Sequence, residues 1–430
     1  MRIVLLFFIL LIFACGEFEA KISGEDQELY QNHLLLKAYF YHPERIKPYS
    51  AYEGMEVDSM YSSLNDYLKG ARYTRYFEPS RADAVLDILQ NSEHYYSFGF
   101  ERFLIEDTLV VSAVYPNSPA ASAGLKKRDK LLFSNNNSLT GENAELYEKS
   151  DEHFSASAVF KVLRNGDVLT LPAMQKEEVL SSTVYLDTLY NIPFISVTEF
   201  TGNTNNPEGT YQEFKDVLRE IKGTKTAIID LRGNPGGSIL HCTKMAAELS
   251  PLDKEMIYDV SHYPHRGKNI IDTSHYFARN FLKNLGDGVE IKWIVIIDGQ
   301  SASCAERFAA ALKSTRPETV FIGQGTYGKG IGQSYIVTHL GGLAGITSLQ
   351  SYYPNGETFH EVGVLPDYYA NPNSSEIYEI ALQIAQGSGF GLAKRSVSID
   401  LGALPPKYTS GKKDLGAYEL KFPIPHTQSD

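Results

Sequence analysis

Apolar positions change their spacing twice along this chain, and each change marks a different kind of local structure. Residues 21–92 repeat them every three to four positions, as in Leu34-Leu35-Leu36…Tyr39-Phe40 and Val85-Leu86…Ile88-Leu89. That is the period of helices with one face turned to a core. Ser80 precedes a helix-compatible run to Gln90 and is expected to cap it. The aromatic cluster Tyr73-Thr74-Arg75-Tyr76-Phe77 is explained by core packing alone. Residues 93–175 switch to short strand-like runs at 98–103, 109–114, 130–133, 160–163 and 167–171. Asn165-Gly166 separates the last two, a two-residue hairpin signal. Ser118-Pro119 opens a short capped helix between the early strands. Together these runs predict one β-rich module.

From 176 to 387 strands alternate with helices. Helices are expected at 211–221, 239–249, 303–314 and 374–386, with apolar strands at 226–231, 291–297 and 319–322. This alternation predicts an α/β core around a mainly buried sheet. With the helical start and the β-rich module, the whole chain reads as an α/β (α+β) multi-domain protein. Residues 388–430 follow a glycine-rich break, carry Pro and Lys with little periodicity, and have no readable role.

The first residues look like an export signal. Met1-Arg2 is followed by an unbroken apolar run from Ile3 to Ala14. As a helix that run reaches roughly 18 Å, too short for a bilayer core of about 30 Å. Residues 1–20 are therefore read as a signal segment. The stop at Ile12-Phe13-Ala14-Cys15-Gly16 resembles the lipobox of bacterial lipoproteins, which would make Cys15 a lipid-attachment site and give membrane association through an N-terminal lipid. The alternative is a plain cleaved signal in which Cys15 is incidental. Either way the expectation is export to the cell envelope or periplasm. The other two cysteines, Cys242 and Cys304, can pair in an oxidising compartment or remain small buried thiols; the second is the expectation.

Composition narrows the partners. Lys and Arg number 40 against 52 Asp and Glu, a net charge of −12. A nucleic-acid partner would want a basic face, so none is expected. No His-x-x-x-His or Cys-x-x-Cys spacing calls for a metal, and neither metal nor cofactor is expected.

Three segments carry candidate chemistry. Strand 291–297 runs into Asp298-Gly-Gln-Ser-Ala-Ser303-Cys304-Ala-Glu306, which opens a helix. A serine on a strand-to-helix turn exposes its hydroxyl beside backbone N–H groups, as nucleophilic attack requires. Ser303 and Glu306 also fit an ordinary capping box. Asp230-Leu-Arg-Gly-Asn-Pro-Gly236-Gly237 lies between a strand and a helix; its glycines can present N–H groups to a developing oxyanion, or simply make a turn. Gly323-Gln-Gly-Thr-Tyr-Gly-Lys329-Gly330 nearly matches a phosphate-binding loop. Gly330 stands where a hydroxyl is needed, and a strand-like run follows where a helix is needed. A desolvated Lys329 suits proton abstraction; a solvated loop lysine is the plain alternative.

Taken together, these segments resemble the C-terminal processing peptidases, or tail-specific proteases, PDZ-containing serine peptidases with a Ser-Lys dyad. Ser303 and Lys329 stand 26 residues apart, Gln333 follows four later, and the 230–237 loop is complete. Tyr352-Tyr353-Pro354-Asn-Gly356 and Gly363-Val-Leu-Pro366-Asp367 match downstream segments. The resemblance implies a ClpP/crotonase-like peptidase core at 176–387, an inserted PDZ-like domain at 93–175 and a helical region at 21–92. It further implies Ser303 as nucleophile, Lys329 as general base and Gln333 orienting the lysine. Gly236, Gly237 and Cys304 would supply the oxyanion hole, with Glu306 in support. A PDZ groove around Phe98-Gly99-Phe100 would receive protein substrates with accessible C-terminal tails by strand addition.

Departures from the family pattern are Cys304 after the nucleophile, Arg128 in place of a glycine, and Asn135-Asn-Asn137 in place of an Asp-Gly turn. Among eleven histidines, His241, His339 and His360 offer a Ser-His alternative without a motif around them. The competing functional class is an inactive PDZ-type peptide-binding scaffold; a nucleotide-binding protein is a third.

Overall fold

A computed structural model describes residues 24–65, 73–105, 107–115, 118–149, 153–265, 268–281 and 289–387. The expected signal run, Cys15 and the 388–430 tail lie outside these residues.

The central sheet has six strands in chain order: β1 (Val184–Leu189), β2 (Ile192–Val197), β3 (Thr226–Asp230), β4 (Lys292–Ile297), β5 (Val320–Gly323) and β6 (Tyr368–Tyr369). β1 and β2 pair antiparallel, and every later pair is parallel. The crossovers run through α1 (Gly209–Glu220), α2 (Ile239–Leu249) and α3 (Cys304–Thr315), while α4 (Glu376–Ala385) follows β6. A parallel sheet that grows in one direction with right-handed crossovers places such helices on one face. Side-chain alternation agrees. Ala227, Ile229, Val295 and Ile297 share a core with α1–α3, whereas Ile228, Ile294 and Ile296 pack with α4. Burial on both faces is why these strands read as continuous apolar runs. The fold is mixed α/β.

A second sheet was not legible in the sequence. A long hairpin, Glu255–His265 with Lys268–Phe277, pairs with strand Leu343–Tyr352, which also pairs with Ile331–Val337. Arg75–Phe77, read as part of a helical region, is a strand on the same sheet. Three residues are too few for a period to register. The third helix of that region, Pro79–Gln90, begins behind Glu78 rather than Ser80, with Pro79 in its first turn. Proline suits that place because the first N–H has no helical acceptor.

Residues 98 to 174 form a separate apolar core under an antiparallel sheet. Its strands are Phe100–Ile105, Thr108–Val114, Lys130–Ser134, Phe160–Arg164 and Asp167–Thr170, near the expected runs. Asn165 and Gly166 both have positive φ, +53° and +92°, as a type I′ hairpin demands. Ser118 Oγ accepts the Ala121 N–H at 3.1 Å, the expected cap.

The cysteine expectation needs correction. Cys242 and Cys304 are joined by a disulfide, with Cα atoms 5.7 Å apart. They stand 62 residues apart in sequence, but α2 and α3 pack side by side on one sheet face and bring their first turns together.

Candidate active site

Because β3 and β4 are parallel neighbours, the loops that follow them leave the same sheet edge, where ligands bind in open α/β sheets. Asp298 ties the two loops together. Its carboxylate accepts N–H bonds from Gly233 (3.1 Å), Gln300 (3.0 Å) and Ser301 (2.8 Å). Burial raises the Asp298 carboxyl above its ordinary value, and these donated bonds act against that rise. Ser301 Oγ donates to Leu231 O at 2.8 Å, and the Ala302 N–H to Asn234 O at 2.9 Å. Arg232 pairs with Asp230 (2.6 Å) and donates to the Tyr378 hydroxyl (2.8 Å) on α4. The charged part of the 230–237 motif therefore anchors the loop to the rest of the core.

Ser303 sits at φ +53°, ψ −111°, directly before α3. Such a conformation costs a non-glycine residue about 1–3 kcal/mol and persists only when its surroundings enforce it. Gly236 is one enforcing neighbour. A Cβ there would lie 2.7 Å from Ser303 Cβ and 2.8 Å from the Cys304 nitrogen, so only glycine fits. The Gly236 N–H donates to Asn234 Oδ1 at 2.9 Å and is therefore not available to an oxyanion, contrary to the expectation for this residue. Among the described residues, the N–H groups of Gly237 and Cys304 have no acceptor. For Cys304 this follows from its place at the first turn of α3.

Glu306 does more than cap a helix. Oε2 accepts the N–H groups of Ser303 (2.8 Å) and Lys329 (2.7 Å). Oε1 accepts the Thr326 hydroxyl and the Gly328 N–H, both at 2.6 Å. One fully buried carboxylate thus binds the serine turn to the lysine loop. Burial pushes its carboxyl up to about 7, against the pull of the four donated bonds.

The glycine-rich loop runs from β5 into strand Ile331–Val337, not into a helix, so the phosphate-loop geometry is missing here. Lys329 is 8% exposed, and its Nζ lies 4.6 Å from the centre of the Tyr73 ring. Tyr73 in turn donates to the Tyr327 hydroxyl at 3.3 Å. Ser303 and Lys329 line one narrow cleft together with Cys304, Ile239, Leu349 and Phe359. No histidine is among its lining residues. His360 lies beside the loop, its Nδ1 3.2 Å from Gly328 O. His241 receives the Tyr211 N–H, and burial lowers it to about 4; His339 is placed against Gln31. Gln333 Nε2 is 3.4 Å from Thr347 Oγ1 on the neighbouring strand.

In the β-rich module Phe98 and Phe100 are buried in the core, and Gly99 takes φ +78°. Strand Phe100–Ile105 stands at the edge of its sheet. Arg128 adopts φ +74°, the backbone conformation that suits the glycine it replaces. Tyr73, Asn234 and Thr326 are site residues that pattern reading passed over. In the sequence Tyr73 is one aromatic in a cluster, and Asn234 is one residue of a glycine-rich turn.

Residues 191–370 match the profile described as peptidase family S41. That span holds the 230–237 loop, Ser303 and Lys329. Curated proteins similar to this chain include "Carboxy-terminal processing protease CtpB" of Bacillus subtilis and "Probable CtpA-like serine protease" of Staphylococcus aureus strain N315. The first is 26% identical over 320 residues, 72% of this chain and 61% of the relative. The second is 25% identical over 313 residues, 72% of this chain and 58% of the relative. The chain thus spans about three fifths of these relatives' length. Among solved structures, "Photosystem II D1 C-terminal processing protease" covers 83% of this chain and 97% of its own, at 19% identity and TM-score 0.47. A putative S41 protease from Bacteroides fragilis NCTC 9343 covers 87% and 99%, at 14% identity and TM-score 0.47.

Proposed function

We propose that this chain is a serine endopeptidase in which Ser303 attacks the scissile carbonyl and Lys329 takes the hydroxyl proton. The observation that carries this reading is one cleft lined by both side chains, with Ser303 held at positive φ beside unpaired N–H groups. Desolvation disfavours an ammonium, which is the condition a lysine needs to act as a base. The Tyr73 face then stabilises the charge that Lys329 gains on protonation. Negative charge on the tetrahedral oxygen is received by the Gly237 and Cys304 N–H groups. One such donor is worth roughly 3–4 kcal/mol of barrier. Lys329 next protonates the leaving amine, and water hydrolyses the acyl-Ser303 ester. Gln333 helps orient the lysine, and Glu306 keeps its loop against the serine turn.

The substrates we assign are exported or envelope proteins, cut near their C-termini. The edge strand Phe100–Ile105 supports a PDZ-like module that takes up a substrate tail by strand addition, with Phe98-Gly99-Phe100 shaping the groove's end. The signal-like start supports export, with Cys15 as a lipid anchor. No helix among the described residues is long and apolar enough to cross a membrane.

The test compares cleavage of an unstructured protein by the parent and by Ser303→Ala and Lys329→Ala. Both variants should be inactive, and the parent's rate should rise with pH as the lysine is deprotonated. An active Ser303→Ala removes the proposal. An active Lys329→Ala moves the base to another residue, His360 first. A parent that binds a C-terminal peptide without cleaving it is the inactive scaffold instead.

A further inference from the structure

The disulfide joins the two halves of the site, and its position follows from how they are built. Each half is a loop running from a sheet strand into a helix: Gly237 precedes α2, and Ser303 precedes α3. The Gly237 and Cys304 N–H groups must hold a fixed separation if one oxygen is to bind both. On the sheet side the loops are tied by hydrogen bonds through Asp298, Ser301 and Asn234. On the helix side, Cys304 supplies a donor N–H and, through its own sulfur, a covalent link to Cys242 in the first turn of α2. Both cysteines are buried, 0% and 1% exposed, and Cys304 also lines the cleft.

We infer that Cys242 is a positioning residue for catalysis: its bond to Cys304 holds the two oxyanion donors at their working separation. The inference rests on Ser303 being the nucleophile. A bond placed only for fold stability would serve anywhere along the α2–α3 contact. This one ends on the residue whose N–H is left unpaired beside the nucleophile.

The experiment first counts free thiols in the purified parent by alkylation and mass spectrometry. Cleavage is then measured for Cys242→Ala, Cys304→Ala and the double variant, well below their melting temperatures. Neither substitution removes a backbone N–H. All three variants should lose roughly tenfold or more in kcat, with KM within about twofold, because the lost interaction is made only in the transition state. The double variant should be no worse than either single one, since both break one bond. A peptide aldehyde, which forms an oxyanion on Ser303, should bind correspondingly more weakly to each variant, while a product peptide binds as before. Free thiols at both Cys242 and Cys304 in the active parent overturn the inference. So does a lowered melting temperature with unchanged kcat, which marks a bond that only stabilises the fold. A loss confined to Cys304→Ala also overturns it, by tracing the effect to the Cys304 side chain in the cleft. Ser303→Ala is run alongside. Cleavage surviving in that variant sinks the peptidase proposal itself, a result distinct from any of these.

Discussion

Glu306→Gln separates the work of a buried charge from that of the bonds it accepts. The native carboxylate takes four hydrogen bonds, two on each oxygen, from the segments that carry Ser303 and Lys329. An amide keeps one accepting oxygen and turns the other position into a donor. Facing Oε2's partners, the new NH₂ meets the Ser303 and Lys329 N–H groups. Facing Oε1's partners, it meets the Gly328 N–H and a Thr326 hydroxyl that can rotate to accept. The second arrangement is cheaper and leaves the Gly328 N–H and one amide N–H facing each other, at about 1–3 kcal/mol for each unpaired group. The charge acts in the other direction. Burial raises the native carboxyl from 4.5 to about 7, so between those values the folded chain keeps a proton that the unfolded chain releases. Stability from this group is present below 4.5 and lost as pH rises through 7, by about 3 kcal/mol in all. Glutamine has no such term. Urea unfolding of parent and variant from pH 4.5 to 8 should therefore show the variant gaining on the parent by about 3 kcal/mol. Glu101, Glu213 and Asp298, also raised by burial, and His241, lowered by it, cancel in that difference. Activity at pH 8 should fall roughly 10–100-fold, since ångström-scale misplacement of reacting groups costs that much. Parallel stability curves together with parent-level kcat would refute the reasoning.

Other perturbations bear on neighbouring links. Gly236→Ala should abolish cleavage because the added methyl meets Ser303 and Cys304; circular dichroism checks that the fold survives, and an active variant contradicts the packing. Tyr73→Leu keeps bulk but removes the ring under Lys329. Losing a cation–π contact of roughly 0.5–2 kcal/mol should lower kcat about 3–30-fold and leave KM unchanged, as steady-state kinetics will report. Phe308→Ala, in the fully buried contact of α3 with Phe200 and Phe214, should destabilise the core by about 3–5 kcal/mol in denaturant titrations.

What could be read from the chain was whatever repeats locally or is punctuated by special residues. The strands 226–230 and 292–297 announced themselves as apolar runs, α2 and α3 as periodic segments, and the I′ hairpin by Asn165-Gly166. Three motifs in a fixed order pointed to Ser303, the 230–237 loop and Lys329 as one group. The hairpin at 255–277 escaped because its polar and apolar residues do not separate cleanly, and strand 75–77 because it is so short.

Sequence alone determined which residues have the right chemistry: a serine on a strand-to-helix turn, a lysine among glycines, and glycines able to approach a substrate. Tertiary structure decided what each of them can do. It committed the Gly236 N–H to Asn234, made Glu306 the link between two distant segments, set Tyr73 against Lys329 and bonded Cys242 to Cys304. The physical reason is that a motif fixes atoms over a few residues. Hydrogen-bond partners, burial and sulfur-to-sulfur distance depend on elements that meet only when the sheet assembles, and local pattern carries no record of those meetings.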